Sequence, residues 1–498
     1  MTHSDPDFPH PRYAEYVLKP SFAEAQTYLF DLMMAANMAH AVMLTEAGIL
    51  SPEGGAALLR GLGQVEAEGV AARRYEPGVE DLFFSVENRL VALVGPEIGG
   101  NLQIARSRND LGAALARMAL RDRLRGVLDR LHGLRAALLN FARLHVDTVM
   151  PGYTHTQPAQ PTTLAHYVAA ILSFLARDTK RLQSAYVTTN RSPLGAAAFT
   201  TTGFPINRSR IAALLGFDGL IENSHDAIGA ADYMTEAMGA LTTLALNLSR
   251  VTRDLLFWAT QEAAAIRIHG AFIQISSIMP QKRNPVVLEH LRARLGRLIG
   301  LASSVSIMAH NVPYGDTQDI EDEIYSPLFG ACQTAGQVLA LYTAVFETLE
   351  VNREHLLTRA ASGFTTATEL ADTLTRDLGL PFRTAHGIVS RLVQSALARG
   401  LTPDDVTASL LDEAAQAVIG RPLGLPEETV SRALDPVHFT EVRTQPGGPA
   451  PATVHAWLDK ARRALAAGRD WLATEKARQR DAAASLAQRV EALTAAQR

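Results

Sequence analysis

Over long stretches of the chain, apolar residues recur every three or four positions, the spacing of one helical face. Between Ala230 and Glu262 they fall at Met234, Met238, Leu241, Leu244, Leu248, Val251, Leu255 and Trp258, with no proline and one glycine, Gly239. The mean step of about 3.5 residues is the seam of helices lying nearly parallel in a bundle. At 1.5 Å per residue such a helix runs about 50 Å, which suggests a long bundle shared between subunits. A second seam, Leu288, Leu291, Leu295, Leu298, Val305 and Met308, follows Asn284. Asn284 is expected to cap it, with Pro285 in the first turn, where no N–H is needed. Three more helices are predicted: Leu111 to about His145, capped by Asn109 or Asp110; from Pro161 past Phe174; and about Pro327 to Val351. Together they form one central unit, 111–360. Shorter helices fill 1–110, including one at about Ser21–Gly48, and a helical unit occupies 361–498. That last unit loosens at Gln445–Pro451 and ends in a charged, partly frayed tail after Thr474. No βαβ alternation is present, so the fold class is all-α.

Composition narrows the function. The 498 residues carry 47 Lys+Arg and 51 Asp+Glu, a net charge of −4, and are 47% hydrophobic and 20% charged. This is an ordinary folded composition, and its mild acidity excludes the basic stripe of a nucleic-acid binder. Cys332 is the only cysteine, so neither an internal disulfide nor a cysteine zinc cluster can form. The first twenty residues lack the apolar segment of a signal peptide, and no uncharged apolar run reaches membrane length. A reducing cytoplasm, with no membrane and no nucleic-acid partner, is expected.

Three polar stretches interrupt the apolar helices. Arg106-Ser107-Arg108-Asn109-Asp110 places guanidinium, hydroxyl and amide groups at a helix N-terminus, where free N–H groups favour anions. Gly152-Tyr153-Thr154-His155-Thr156-Gln157-Pro158 sets a histidine between hydroxyls in a loop bounded by glycine and proline, suited to acid–base work. Ser276-Ser277-Ile278-Met279-Pro280-Gln281-Lys282-Arg283-Asn284 gathers two serines, a lysine and an amide before another helix, and can hold an anion and stabilise charge added to it. The scattered histidines lack ligand spacing, so no metal site is expected.

The third stretch resembles the signature of the aspartase/fumarase superfamily, Gly-Ser-Ser-x-Met-Pro-x-Lys-x-Asn, with Ile275 in place of the leading glycine. With VEDLFFSVE (79–87), RSRND (106–110), MPGYTHTQPAQP (150–161), NSHDA (223–227), MPQKRNP (279–285) and LPFRTAH (380–386), the chain resembles the argininosuccinate lyase branch along nearly its whole length. The resemblance implies a three-domain fold, a homotetramer whose active sites draw loops from three subunits, no cofactor, and elimination of fumarate from an N-substituted aspartate. It implies Ser276 as general base, and Lys282 and Asn284 around an aci-carboxylate intermediate. His155 would relay protons or bind a carboxylate. Thr154, Ser277 and Met279 would lie near the substrate, and Ser107, Arg108 and Asn109 on the succinyl carboxylates.

The departures from the family pattern fall at the amine end. Gln103-Ile104-Ala105 replaces His-Thr-Gly before RSRND, Phe83 replaces a histidine, and Leu111-Gly112 replaces Gln-Val. The loop that normally holds the arginine portion reads Tyr314-Gly315-Asp316-Thr317-Gln318-Asp319-Ile320-Glu321-Asp322-Glu323, longer, more acidic and without its lysine. This favours a relative acting on another N-substituted aspartate, of the ethylenediamine-N,N′-disuccinate (EDDS) lyase type, because an acidic loop suits a cationic amine. True argininosuccinate lyase is the alternative.

Overall fold

The computed structural model describes residues 7–496. Six long helices carry it: α1 (Arg108–Arg143), α2 (Leu164–Thr189), α3 (Asp232–Trp258), α4 (Val286–Met308), α5 (Tyr325–Thr348) and α6 (Pro451–Ala495). The apolar seam of α3 is buried as its spacing requires, with Leu241, Leu244, Leu248 and Leu255 at most 1% exposed. Of the shorter helices, Phe30–Glu46 packs on α1 and α6, Pro52–Glu68 on α6, and Leu82–Val94 on Pro52–Glu68, all in one continuous core. A second core, between Phe364 and Leu434, is separate from the first.

Several sequence expectations are corrected in detail. Ser107, not Asn109 or Asp110, caps α1, while Asp110 closes the capping box by accepting from the Ser107 N–H. Asn284 does not cap α4: it lies in a two-residue strand paired with Gln274–Ile275, and Pro285 stands at the cap position without a side-chain bond. Helix α2 starts at Leu164, capped by Thr163, because Pro161 belongs to a strand. The charged tail is not frayed over its described length. Val454, Leu458, Leu465, Leu472 and Leu486 of α6 join the core of the bundle rather than that of residues 364–434. By composition the stretch Gln318–Thr348 could cross a membrane, but Leu328, Phe329, Leu339, Tyr342 and Val345 are buried against neighbouring helices.

Helix direction determines which loops share an end. Arg117, near the start of α1, stacks on Tyr233 at the start of α3, and Tyr167, at the start of α2, meets Trp258 at the end of α3. Phe141, near the end of α1, meets Phe346 near the end of α5. Ser107 and the loop before α5 therefore lie at one end of the bundle. The hairpin after α1 and the loop between α3 and α4 lie at the other. The 36 residues of α1 put about 54 Å between the two ends.

Candidate active site

The end bearing Ser107 is built around a buried carboxylate. Asp110 is wholly buried and accepts from the backbone N–H groups of Ser107 (2.9 Å), Gly195 (2.9 Å) and Ala197 (3.2 Å). Burial pushes its pKa up to about 6 despite these donors and the nearby Arg106. It ties the helix start to the 195–202 loop, where Asn109 also donates to the Ala198 carbonyl at 3.4 Å. Arg108, expected on a substrate carboxylate, pairs here with Asp81 (2.9 Å) and Glu80 (3.2 Å) and lies over the Phe84 ring.

Beside it opens a cavity of about 410 Å³, lined by Arg108, Asn109, Glu80, Asp81, Asp316, Glu321, Asp322 and Glu323. Six carboxyl groups thus face one guanidinium. Burial and the neighbouring Asp316 and Asp322 push Glu321 up to about 8. Burial, then Asp81 and Glu323, push Asp322 up to about 6. Gly112 makes room for this charge: a Cβ there would stand 2.2 Å from Glu321 Oε1. Tyr314, expected on the substrate, is 61% exposed at the same end, and its hydroxyl donates to Asp226 at 2.5 Å. That bond pushes its pKa up to about 12.

At the opposite end, the expected loop around His155 is a β-hairpin, β1 (Val149–Thr154) and β2 (Gln157–Thr163). His155 (φ 51°) and Thr156 (φ 62°) form its two-residue turn. Such left-handed angles match the twist of a hairpin but are unfavourable for residues other than glycine, above all a β-branched one. Thr154 and His155 are exposed, so His155 is not a core histidine. The serine loop follows α3 as a second small hairpin. Ser276 Oγ accepts from the N–H groups of Ile278 (3.3 Å) and Met279 (3.0 Å). Two such donors favour negative charge on that oxygen. Ser277 and Lys282 are exposed and Asn284 is half-buried, while Ile275 and Ile278 are 78% and 82% exposed.

The predicted residues thus form two groups. Ser107, Arg108, Asn109 and Tyr314 share one end, and Thr154, His155, Ser276, Ser277, Met279, Lys282 and Asn284 belong to loops at the other. One chain does not bring them together.

Comparison with known proteins decides the family. Residues 20–300 match the lyase family model, and residues 364–441 match that of the argininosuccinate lyase C-terminal region. The chain belongs to the argininosuccinate lyase branch of the aspartase/fumarase superfamily. It is 40% identical over 459 residues to argininosuccinate lyase of Methanosarcina barkeri, covering 92% of this chain and 91% of that one. It is 38% identical over 498 residues to argininosuccinate lyase 2 of Agrobacterium fabrum, covering 98% and 97%. A crystal structure of EDDS lyase in complex with formate superposes with a TM-score of 0.88 at 34% identity, covering 98% of this chain and 96% of that one. An EDDS lyase variant with bound fumarate superposes equally well, at 33% identity. The protein is a carbon–nitrogen lyase that releases fumarate.

Within this lyase, sequence reasoning passed over Asp110 as a tie between two segments, the fit of Glu321 over Gly112, and the docking of Tyr314 on Asp226. Only the second had a visible signal, a glycine inside an otherwise helical run.

Proposed function

We propose that this lyase catalyses the reversible β-elimination of an N-substituted L-aspartate of the EDDS type to fumarate and a cationic amine other than arginine. The observation that carries this reading is the cleft beside Asn109, where six carboxyl groups face Arg108 alone. Glu321 and Asp322, raised to about 8 and about 6 by burial and by the neighbouring carboxyl groups, are groups that a bound cation would return to their charged form. A second reading, cleavage of argininosuccinate to arginine and fumarate, is favoured by the name shared by the 36–40% identical relatives.

In the proposed mechanism Ser276, as its alkoxide, removes a proton from the carbon beside one carboxylate. The Ile278 and Met279 N–H groups on its Oγ support that charge. The pair of electrons left on carbon gives a doubly charged aci-carboxylate, which Lys282 and Asn284 stabilise. The C–N bond then breaks, releasing fumarate and the amine, with Thr154 and His155 beside the substrate and His155 relaying protons or holding a carboxylate. Ser277 and Met279 shape the serine loop. Ser107, Arg108 and Asn109 hold the succinyl group, Arg108 exchanging Glu80 and Asp81 for a substrate carboxylate. Because about 54 Å of α1 separates the two groups of residues, the reading includes a homotetramer in which each site takes loops from three subunits. The exposed Ile275 and Ile278 are apolar surface for such a neighbour to cover. The enzyme would work in the cytoplasm.

The serine assignment is tested by Ser276→Ala and Ser277→Ala. Loss of a positioned base lowers turnover by about 10²–10⁴-fold, so Ser276→Ala should release no measurable fumarate while keeping the oligomer. Ser277→Ala should retain more activity. Near-normal turnover in Ser276→Ala would refute the role.

A further inference from the structure

The NSHDA segment, residues 223–227, belongs to the family pattern but has no part in the chemistry above. In the structure it forms the helical turn Ser224–Gly229, with Asn223 accepting from the N–H groups of His225 (2.9 Å) and Asp226 (3.1 Å). Three of its six residues hold Tyr314. His225 Nε2 lies 2.8 Å from the Tyr314 carbonyl oxygen, so that nitrogen carries the proton and donates. The His225 and Tyr314 rings stack with centroids 5.8 Å apart and planes 8° from parallel. Asp226 accepts from the Tyr314 hydroxyl. Gly229 allows the backbones to approach: a Cβ there would lie 3.1 Å from the Gly315 nitrogen. The His225 ring also makes a T-shaped contact with Phe199, centroids 5.4 Å apart, next to Ala198, whose carbonyl Asn109 contacts.

We propose that His225 is a positioning residue for amine specificity. It rests on the reading that the loop beginning at Tyr314 faces the amine. The exposed Tyr314 leads within two residues to Asp316, which lines the acidic cleft. Every hold on Tyr314 described above comes from the 223–229 turn. His225 contributes both a backbone hydrogen bond and a ring face. It also joins that loop, through Phe199 and Ala198, to the helix end that carries Asn109. Its position therefore sets the distance between the amine cleft and the carboxylate-holding residues, and so which amines fit between them.

The test is a pair of variants, His225→Phe and His225→Gln. Phenylalanine keeps the stack and removes the N–H donor, whereas glutamine keeps a donor at similar reach and removes the ring. Fumarate addition is followed with ethylenediamine and with arginine as probes, varying amine and fumarate separately. His225→Phe should raise KM for the preferred amine by about tenfold, the scale of one lost hydrogen bond, and leave KM for fumarate unchanged. His225→Gln should lie between it and wild type. An unchanged amine KM, or equal rises for amine and fumarate, would overturn the proposal. If the phenylalanine variant does not assemble, His225→Gln decides alone, by the same split. A wild type that prefers arginine would refute the reading of the amine but still leave the split measurable with arginine.

Discussion

Replacing Glu321 by glutamine removes the charge that the cleft tolerates least. The carboxyl is half-buried beside Asp316 and Asp322 and stands at about 8 against an ordinary 4.5. At about 1.4 kcal/mol per pH unit, that difference corresponds to about 5 kcal/mol, an upper bound that solvent access reduces to a few. The sign follows from proton counting. Between pH 4.5 and about 8 the folded carboxyl keeps a proton that the unfolded chain has released. Wild-type stability therefore falls as pH rises through that window. Glu321→Gln lacks this term. Its unfolding midpoint in denaturant should match wild type near pH 4.5 and exceed it increasingly up to pH 9. Calorimetry in buffers of different ionisation enthalpy gives a second reading. At pH 7 a group of pKa about 8 is about nine-tenths protonated, so a cationic amine entering the cleft should displace close to one proton in wild type and fewer in the variant. A variant less stable than wild type at pH 9, or a difference that does not vary with pH, would refute the reasoning.

Gly112→Ala should gain up to about 1 kcal/mol of helix propensity but place a Cβ 2.2 Å from Glu321 Oε1. The displaced carboxylate should raise KM for the amine and leave KM for fumarate unchanged, as measured by initial rates with each substrate varied. Mixing and reassembling inactive Ser276→Ala and Asn109→Ala proteins should restore activity, because sites formed from several subunits can combine the intact loops of each. Absence of recovery in oligomers shown to be mixed would contradict the shared site.

The helices were legible because their seams repeat over many turns, and a pattern of that length leaves little alternative to burial. The boundaries were less so. Ser107 replaced Asn109 or Asp110 as the cap because a capping box involves two residues and Asp110 satisfies its second position. The hairpin at His155 was hidden because its turn residues carry left-handed angles without a glycine to announce them. The end of α6 after Thr474 read as a frayed tail because its few apolar residues that join the core, Leu486, Val490 and Leu493, stand among many charges. At the site, the residues of the signature loop were readable as a string. Contacts between distant segments, such as His225 with Tyr314 across 89 positions, leave no trace in local spacing. The acidity of the 316–323 loop was visible, but its concentration around Arg108 depended on the fold.

The most direct test of the account is the amine preference of the purified enzyme, read as loss of fumarate absorbance with fumarate in excess. Ethylenediamine and related diamines are compared with arginine at equal concentration, and argininosuccinate cleavage is measured alongside. The acidic cleft predicts faster fumarate consumption with a diamine than with arginine, and little cleavage of argininosuccinate. A clear preference for arginine, with efficient cleavage of argininosuccinate, would contradict it.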